Sequence, residues 1–398
     1  PLRALEQLRR IMGVLYSVGS ALVDPRELRE KAATGALDAF TAAVAGGGDA
    51  TLDLSDGVVT TAEVAEPANS PLDFVPIGLN RPLTIEMVAA YVGDAPGRSL
   101  FDRIVGKSKP DLLIVSAAKS PQTFGAAPRA INQVVEDIDD NESYRPGALN
   151  DGSPIIYHSP AMVDSTTFVS VEMVVDSFDG SVLDQLSELL TAAAGLPVFA
   201  PAATYLLAGS VAAKAGKKLG QALAESGPFL KASEDIRFDH GGFPVDLARF
   251  MVFAADADLP KLRGYAPRLS EVGGNSRVIL ADRQSGEPYA GATPFVIASM
   301  DGRPRPEYRG FTATHASAAM LEGFYGKDAL SGVAGALTEA VTLFNDLKFR
   351  RAAERLIGER DALPEGSDER AAADARIEAY LENIRTDALK AGLTGPNR

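Results

Sequence analysis

The chain has 398 residues, of which 46% are hydrophobic and 23% charged, and its formal net charge is −14. This length is enough for two or three hydrophobic cores, and the acidic balance excludes a protein that binds nucleic acid through a general surplus of positive charge. Cysteine is absent, which excludes disulfides, thiolate nucleophiles and cysteine-based zinc sites. The compartment stays open, with the cytoplasm favoured.

The N-terminal region is predicted to begin with two helices. Apolar residues at helical spacing predict an amphipathic first helix, and they are Leu2, Leu5, Leu8, Met12 and Leu15. Asp24, Pro25 and Glu27 have the order of a helix cap, a first-turn proline and a capping acid. They predict a second helix, which is expected to end at the three glycines of residues 46–48.

An irregular arm and a run of strands follow. Four prolines from residue 67 to residue 82 predict the arm, and short helices are expected at residues 85–92 and 100–105. From residue 110 the pattern changes, because hydrophobic residues occupy every second position of 169–175, which is typical of a half-buried strand. Strands are predicted at residues 112–116, 155–158, 167–178, 229–238, 248–253, 277–282 and 294–299.

These strands do not alternate with helices, which favours antiparallel sheets over a doubly wound parallel sheet. We therefore predict an α+β fold with a central antiparallel β-sandwich, a helical insertion, and helical N- and C-terminal arms. The last two strands are expected to form a hairpin. The predicted regions are a helical and irregular N-terminal region at 1–108, the β-sandwich at 109–310 with the helical insertion at 181–226, and a C-terminal helical region at 311–398.

The helical insertion contains the most unusual segment, residues 189–213, which carry no charged side chain. A helix of about 20 apolar residues is long enough to cross a bilayer. Pro197 and Pro201 interrupt any single helix here, because each removes a backbone donor that lipid cannot replace. We predict two helices that are buried against protein, and insertion into a membrane or contact with its surface is the alternative.

The C-terminal region is predicted to be helical after residue 306. Thr314 is expected to cap one helix, and Ser367 the last one. Between them lies a longer helix, whose apolar residues are Leu337, Val341, Phe344 and Leu347. The last helix has a single apolar stripe, formed by Ala373, Ile377, Tyr380, Leu381 and Ile384. Such stripes require a cover, either the sandwich or another subunit.

Two acidic segments are candidate calcium sites. Asp56 and Glu63 bound a segment that matches the second half of an EF-hand loop, although leucines stand where two earlier ligands are needed. Asp137, Asp139 and Asn141 have the opening spacing of the same loop, without its glycine and its closing glutamate. The alternatives are an Asp-Gly turn in a small hairpin for the first segment and a solvated acidic loop for the second.

A hydrolytic site is a third type of candidate. The sequence contains no G-x-S-x-G motif, so a Ser–His–Asp site would have to be assembled in space, with Ser159, His240 and Asp239 as the candidates. His158 is adjacent to Ser159 on a predicted strand, and adjacent strand residues point to opposite faces. His158 is therefore not expected to activate Ser159 directly.

The function that best fits this inventory is a non-enzymatic interaction or assembly protein. Its helical arms or its insertion would engage a partner chain or form a homo-oligomer, which is a common way to cover apolar stripes. One alternative is a membrane-active effector that uses residues 189–213. The other is a hydrolase with the spatially assembled site.

Overall fold

The computed structural model describes residues 13–65, 74–94, 109–119, 129–146, 154–176, 229–238, 247–272, 275–308 and 327–393. Its strands are β1 Val14–Val18, β2 Ala21–Val23, β3 Thr51–Leu54, β4 Gly57–Thr60, β5 Leu83–Tyr91, β6 Asp111–Lys119, β7 Arg129–Val135, β8 Ser143–Tyr144, β9 Ile155–Ser159, β10 Thr166–Asp176, β11 Leu230–Arg237, β12 Ala248–Phe253, β13 Tyr265–Val272, β14 Asn275–Asp282 and β15 Phe295–Asp301. Its α-helices are α1 Pro25–Ala33, α2 Ala36–Gly46, α3 Thr61–Ala65, α4 Leu259–Leu262, α5 Lys327–Asp361, α6 Asp368–Asn383 and α7 Asp387–Lys390. The uncharged segment 189–213 and the helix predicted at Thr314 lie outside the described residues.

The strands of the described residues form two larger sheets and two small ones. The seven-stranded sheet has the order β2-β1-β12-β15-β5-β8, and β9 also pairs with β5. The four-stranded sheet has the order β11-β10-β6-β7, while β13 pairs with β14 and β3 with β4. All of these pairings are antiparallel. The predicted α+β class with antiparallel sheets and C-terminal helices is therefore confirmed.

One hydrophobic core joins the two larger sheets. Tyr16 on β1 and Phe253 on β12 belong to the same cluster of buried residues as Ile114 on β6 and Val171 on β10. Antiparallel sheets that bury alternate residues of their inner faces against each other make a sandwich-like body. Helices α1 and α2 add to this core, because Leu28, Leu37 and Phe40 are buried in it.

The seven-stranded sheet is also covered on its other face. On β12, Phe250 and Val252 belong to a second cluster, together with Leu262 of α4 and Leu280 of β14. Because side chains alternate between the faces of a strand, a strand that is covered on both sides is buried at every position and is mostly apolar. This explains why each residue of Phe295–Asp301 is buried.

The first predicted helix is wrong where the structure describes it. Residues Val14–Val18 form β1, and all five are buried, because β1 lies inside the seven-stranded sheet with both faces covered. Leu15 fits the helical spacing of the preceding leucines, but its neighbours Val14, Tyr16 and Val18 are of types that favour strands. Residues 2–12 of the predicted helix lie outside the described residues.

The second predicted helix is confirmed at its start and divided in the middle. Asp24 Oδ1 accepts a hydrogen bond of 2.7 Å from the backbone N–H of Arg26, which caps α1, and Pro25 is the first helical residue. The chain then breaks at Gly35, whose φ of 73° is left-handed, before α2 begins. A helix continuing through this position would need a right-handed φ, so the chain forms two helices in place of one.

Two predictions about the strands are also wrong. Residues 85–92 lie mostly in β5, which pairs with β15, β8 and β9, and do not form a short helix. The last two predicted strands do not form a hairpin, because β14 pairs with β13 while β15 lies between β12 and β5. β5 and β15 pair with strands that lie far away in the sequence, whereas β14 pairs with the strand directly before it.

The predicted division of the chain into three regions stays a prediction. The seven-stranded sheet takes β1, β2 and β5 from the first 108 residues and β12 and β15 from the region predicted to be the sandwich. The sheet therefore crosses the predicted boundary at residue 108. The two-sheet body combines strands from both regions.

The C-terminal helices form an antiparallel hairpin. Ser367 caps α6, as predicted, and its side chain accepts a hydrogen bond from the backbone N–H of Arg370. Phe349, Ala353 and Tyr380 pack between α5 and α6, and this cluster also contains Ala161 from the segment after β9. Among the described residues, the apolar character and length needed to cross a membrane are not combined in any helix.

Candidate functional site

A group of polar residues lies where β5 and β9 approach the C-terminal helices. Thr84 on β5 is opposite His158 on β9, and Thr84 Oγ1 lies 3.0 Å from His158 Nδ1. Both side chains are buried, with 1% of Thr84 and 9% of His158 exposed. We call this group of buried polar side chains, which links separate elements, the β9 junction.

The segment after β15 covers one side of the β9 junction. The Tyr308 ring meets the His158 ring edge-on, with centroids 5.6 Å apart. The Tyr308 hydroxyl donates a hydrogen bond of 2.8 Å to Glu86 Oε1, and Arg305 Nη2 lies 3.8 Å from Glu86 Oε2. Burial, together with the charge of Glu86, raises the pKa of Tyr308. The phenol therefore stays protonated and serves as a donor.

The C-terminal hairpin closes the other side of the β9 junction. Ser159 Oγ donates to the carbonyl oxygen of Ala161 at 2.9 Å, and Asn383 Nδ2 donates to the same oxygen at 2.6 Å. Asn383 is the last residue of α6, so these bonds attach the hairpin to the body at one point. The proton of the Ser159 hydroxyl is engaged here, and the side chain is 6% exposed.

This arrangement does not activate a nucleophile among the described residues. His158 faces Thr84 and not Ser159, in agreement with the expectation for adjacent residues on a strand. A Thr–His pair has the types of a nucleophile and a base, but the Thr84 hydroxyl is too deeply buried for a substrate to reach it. His240 and Asp239, the other catalytic candidates, lie outside the described residues, and their role stays a prediction.

The buried imidazole makes the β9 junction sensitive to acid. Burial, followed by the positive charge of Arg385, lowers the pKa of His158 to about 4. The unfolded chain takes up a proton near pH 6.5, so lowering the pH from about 6.5 to 4 favours unfolding. Above pH 6.5 the imidazole is neutral in both states and this penalty is absent.

We therefore expect a smaller loss of stability in acid when His158 is replaced by glutamine. From pH 6.5 to pH 4 the folding equilibrium constant of the wild type should fall, through this residue, by about tenfold for each pH unit. Urea unfolding at pH 7, 6 and 5 measures it, and the slope difference between His158→Gln and wild type isolates His158 from titrating carboxylates. Equal slopes for the two proteins would contradict the prediction.

The first candidate calcium segment forms the hairpin that was its alternative explanation. Ser55 and Asp56 make the turn between β3 and β4, and Gly57 is the first residue of β4. Asp56 Oδ2 lies 3.1 Å from Arg263 Nη1, and Glu63 Oε2 accepts a hydrogen bond of 2.6 Å from Ser20. The two carboxylates are thus held by different parts of the chain.

The residues of the second candidate calcium segment also have protein partners. Asp139 Oδ2 pairs with Lys109 Nζ at 2.5 Å, and Asn141 Oδ1 accepts from the Tyr91 hydroxyl at 3.0 Å. The backbone N–H of Asp137 donates to Asp111 Oδ1 at 3.1 Å. The part of the chain that the structure describes contains no group of three or more His, Asp or Glu residues arranged to hold a metal ion. Calcium binding stays a prediction without structural support.

Helix α5 carries an exposed apolar patch. Leu343, Phe344 and Leu347 are 46%, 48% and 38% exposed, and we call them the α5 patch. Residues three or four apart lie on the same face of a helix, so Leu343 and Leu347 are neighbours and Phe344 flanks them. One turn further along, Phe349 and Ala353 are buried against α6. The patch therefore lies on the part of α5 that precedes its packed half.

Comparison of the chain with models of protein families, with curated proteins and with solved structures finds no match. The residues and geometry of this chain are therefore the basis for its function.

Proposed function

We propose that this protein is an assembly protein that forms a homo-oligomer through the first half of α5. The α5 patch carries this proposal, because three large apolar side chains are exposed together on one helix. Isolated exposed apolar residues are common on soluble proteins, whereas adjacent ones on a single helical face are typical of an interaction surface.

The length of α5 supports the proposal. Helix α5 has 35 residues and α6 has 16. At 1.5 Å per residue, α5 is about 52 Å long and α6 about 24 Å. Helix α6 is therefore too short to accompany α5 along its whole length, and about half of α5 extends beyond it.

The sequence of the first half of α5 supports a helical partner. Glu339 is the only charged residue from residue 329 to residue 345. Apolar residues recur at intervals of seven in two series, which are Leu330, Leu337 and Phe344, and Val333, Ala340 and Leu347. A recurrence of this kind is typical of helices that pack side by side, and the simplest partner is α5 of a second copy.

Light scattering of the purified chain tests the proposal. We expect the wild type to have two or more times the 41.8 kDa of the single chain. Leu343→Glu combined with Leu347→Glu should reduce the mass to that of the monomer, because each change places a carboxylate in the interface. Both residues are already exposed, so the monomer should remain folded.

Arg355→Glu is the matched control. Arg355 is also on α5, its side chain is 70% exposed, and the substitution changes the net charge by as much as the double variant does. It should leave the mass of the oligomer unchanged. A wild type that is monomeric at tens of micromolar, or an oligomer that the double variant leaves intact, would overturn the proposal.

The two alternative functions stay predictions. The membrane-active effector depends on residues 189–213, and the hydrolase on His240 and Asp239, all of which lie outside the described residues. Co-sedimentation with anionic liposomes tests the first. Hydrolysis of a panel of esters and peptides by wild type and His240→Ala tests the second.

A further inference from the structure

A single acidic side chain lies in the hydrophobic core between the two larger sheets. Along β11, Leu230, Ala232 and Ile236 point inward and are fully buried. Glu234 continues this series and is only 2% exposed. Its neighbour on β10 is Val169, which is also buried in the core. Glu234 therefore occupies a position at which the alternating pattern of β11 predicts an apolar residue.

The carboxyl group of Glu234 has no close positive partner among the described residues. Neither of its side-chain oxygens has a hydrogen-bond donor there in good geometry. Tyr16 on β1 faces Glu234 from the opposite sheet, and burial and the charge of Glu234 raise the pKa of that phenol. The charged groups that act on Glu234 over longer distances are Arg29 and Asp24 at α1, and Asp235 and Arg237 on β11. Two are positive and two are negative, and Arg29, which lowers the pKa of Glu234, has the largest effect of the four.

A charge in this position is costly, since burial removes the water that would solvate it. Burial raises the pKa of Glu234 to about 8, with the nearby Asp235 and Asp24 adding to the effect and Arg29 and Arg237 opposing it. At neutral pH the group is therefore mostly a neutral acid. It becomes a buried anion only in mildly alkaline solution.

Strand β11 is at one edge of this sheet, and β7 is at the other edge among the described strands. In the described part of the chain β11 is last in the order of the four-stranded sheet, and β10 is its hydrogen-bonded neighbour. An edge strand is held by one ladder, whereas a central strand such as β6 is held by two. Its inward side chains, Glu234 among them, meet the seven-stranded sheet at β1.

We infer that the protonation state of Glu234 controls how firmly β11 packs against β1, and with it the contact between the two sheets. In its protonated form the side chain packs between β11 and β1 as a neutral group. Loss of the proton leaves an anion in the core, and the structure relieves this by loosening β11 from β1. The inference is independent of self-association, because it concerns the interior of one chain.

The direction of the pH effect follows from the two protonation states. The unfolded chain releases the proton near pH 4.5, and the folded chain retains it to about pH 8. The stability linked to this proton is complete below pH 4.5 and is lost as the pH rises to 8. Within that window the folding equilibrium constant should fall by about tenfold for each pH unit, through this residue alone.

Urea unfolding from pH 6 to pH 9, at one protein concentration, tests the inference. The slope seen in the wild type should disappear in Glu234→Gln, whose side chain has nearly the same shape and no charge. Asp235→Asn is the matched control on the same strand, since Asp235 is only partly buried and points away from the core. It should keep the wild-type slope between pH 6 and pH 7, and the upper end of the pH window should move to a lower pH, because the charge of Asp235 helps to raise the pKa of Glu234. If Glu234→Gln and wild type have the same slope, the inference fails.

Two measurements on the wild type need no variant. Infrared spectra with labelled glutamate should show a protonated carboxyl group at pH 6.5 that disappears with a midpoint near pH 8. Hydrogen exchange should show that β11 loses protection relative to β6 between pH 7 and pH 9. The absence of a protonated carboxyl at pH 6.5, or constant relative protection of β11, would overturn the inference.

Discussion

Replacing Gly93 with alanine should lower the free energy of unfolding by about 2–5 kcal/mol. Gly93 follows β5 with a φ of 64°, where a side chain costs about 1–2 kcal/mol. An added Cβ would also lie 2.2 Å from the carbonyl oxygen of Ala292 and 3.0 Å from the backbone nitrogen of Pro294. Since both are backbone atoms, no side-chain rotation relieves the clash, and such overpacking costs about 1–3 kcal/mol more.

Gly35→Ala separates the two contributions. Gly35 has a similar φ of 73°, but nothing lies within 4 Å of an added Cβ. Its replacement should therefore cost only the backbone strain of about 1–2 kcal/mol. Urea unfolding of both variants measures the difference, and equal losses would show that the contact of Gly93 with Ala292 has no energetic weight.

Replacing Asp346 with alanine should cost about 2–4 kcal/mol and should weaken the attachment of the chain after α6. Asp346 lies on α5 and is 1% exposed. Its two carboxylate oxygens accept hydrogen bonds from the backbone N–H groups of Arg385 and Thr386, at 3.0 and 2.9 Å. Hydrogen bonds to a charged group are stronger than neutral ones, and both are lost together.

The matched control is Asp361→Ala at the end of the same helix. The Asp361 side chain is 57% exposed and pairs with its neighbour Arg360, so the substitution should change stability by less than about 0.5 kcal/mol. Calorimetry gives the stabilities, and hydrogen exchange at residues 384–393 reports the attachment. Asp346→Ala with unchanged protection in that segment would contradict the proposed anchoring role.

The sequence predicts those elements whose signal is local. The sequence predicts Asp24 and Ser367 as helix caps, and the structure confirms both, because a cap depends on a few adjacent residues. The predicted strands at 167–178, 229–238 and 248–253 correspond to β10, β11 and β12. In β10 and β11, one face of the strand is apolar and the other more polar, which gives the period of two.

What the sequence could not predict depends on distant partners. β1 and β5 are buried on both sides, so their apolar residues show no period that separates a strand from a helix. The residues of the β9 junction come from β5, β9, the segment after β15 and α6. No pattern of neighbouring residues in the sequence predicts that they meet. Glu234 is recognisable from the sequence, because along β11 the residues alternate between inward and outward positions and Glu234 is the acidic residue at an inward one.

The order of the seven-stranded sheet has a consequence for biosynthesis. Leu15 on β1 is opposite Val252 on β12, and β12 is joined to β5 only through β15. At about 5–20 residues per second, a ribosome needs roughly tens of seconds between making β1 and making β12, its second neighbour in the sheet. During that interval β1 has β2 as its neighbour, but the edge of β1 that later pairs with β12 stays open. Pairing across so long a loop is slow. The yield of folded protein in the cell should therefore depend on chaperones that cover β1 until translation reaches β15.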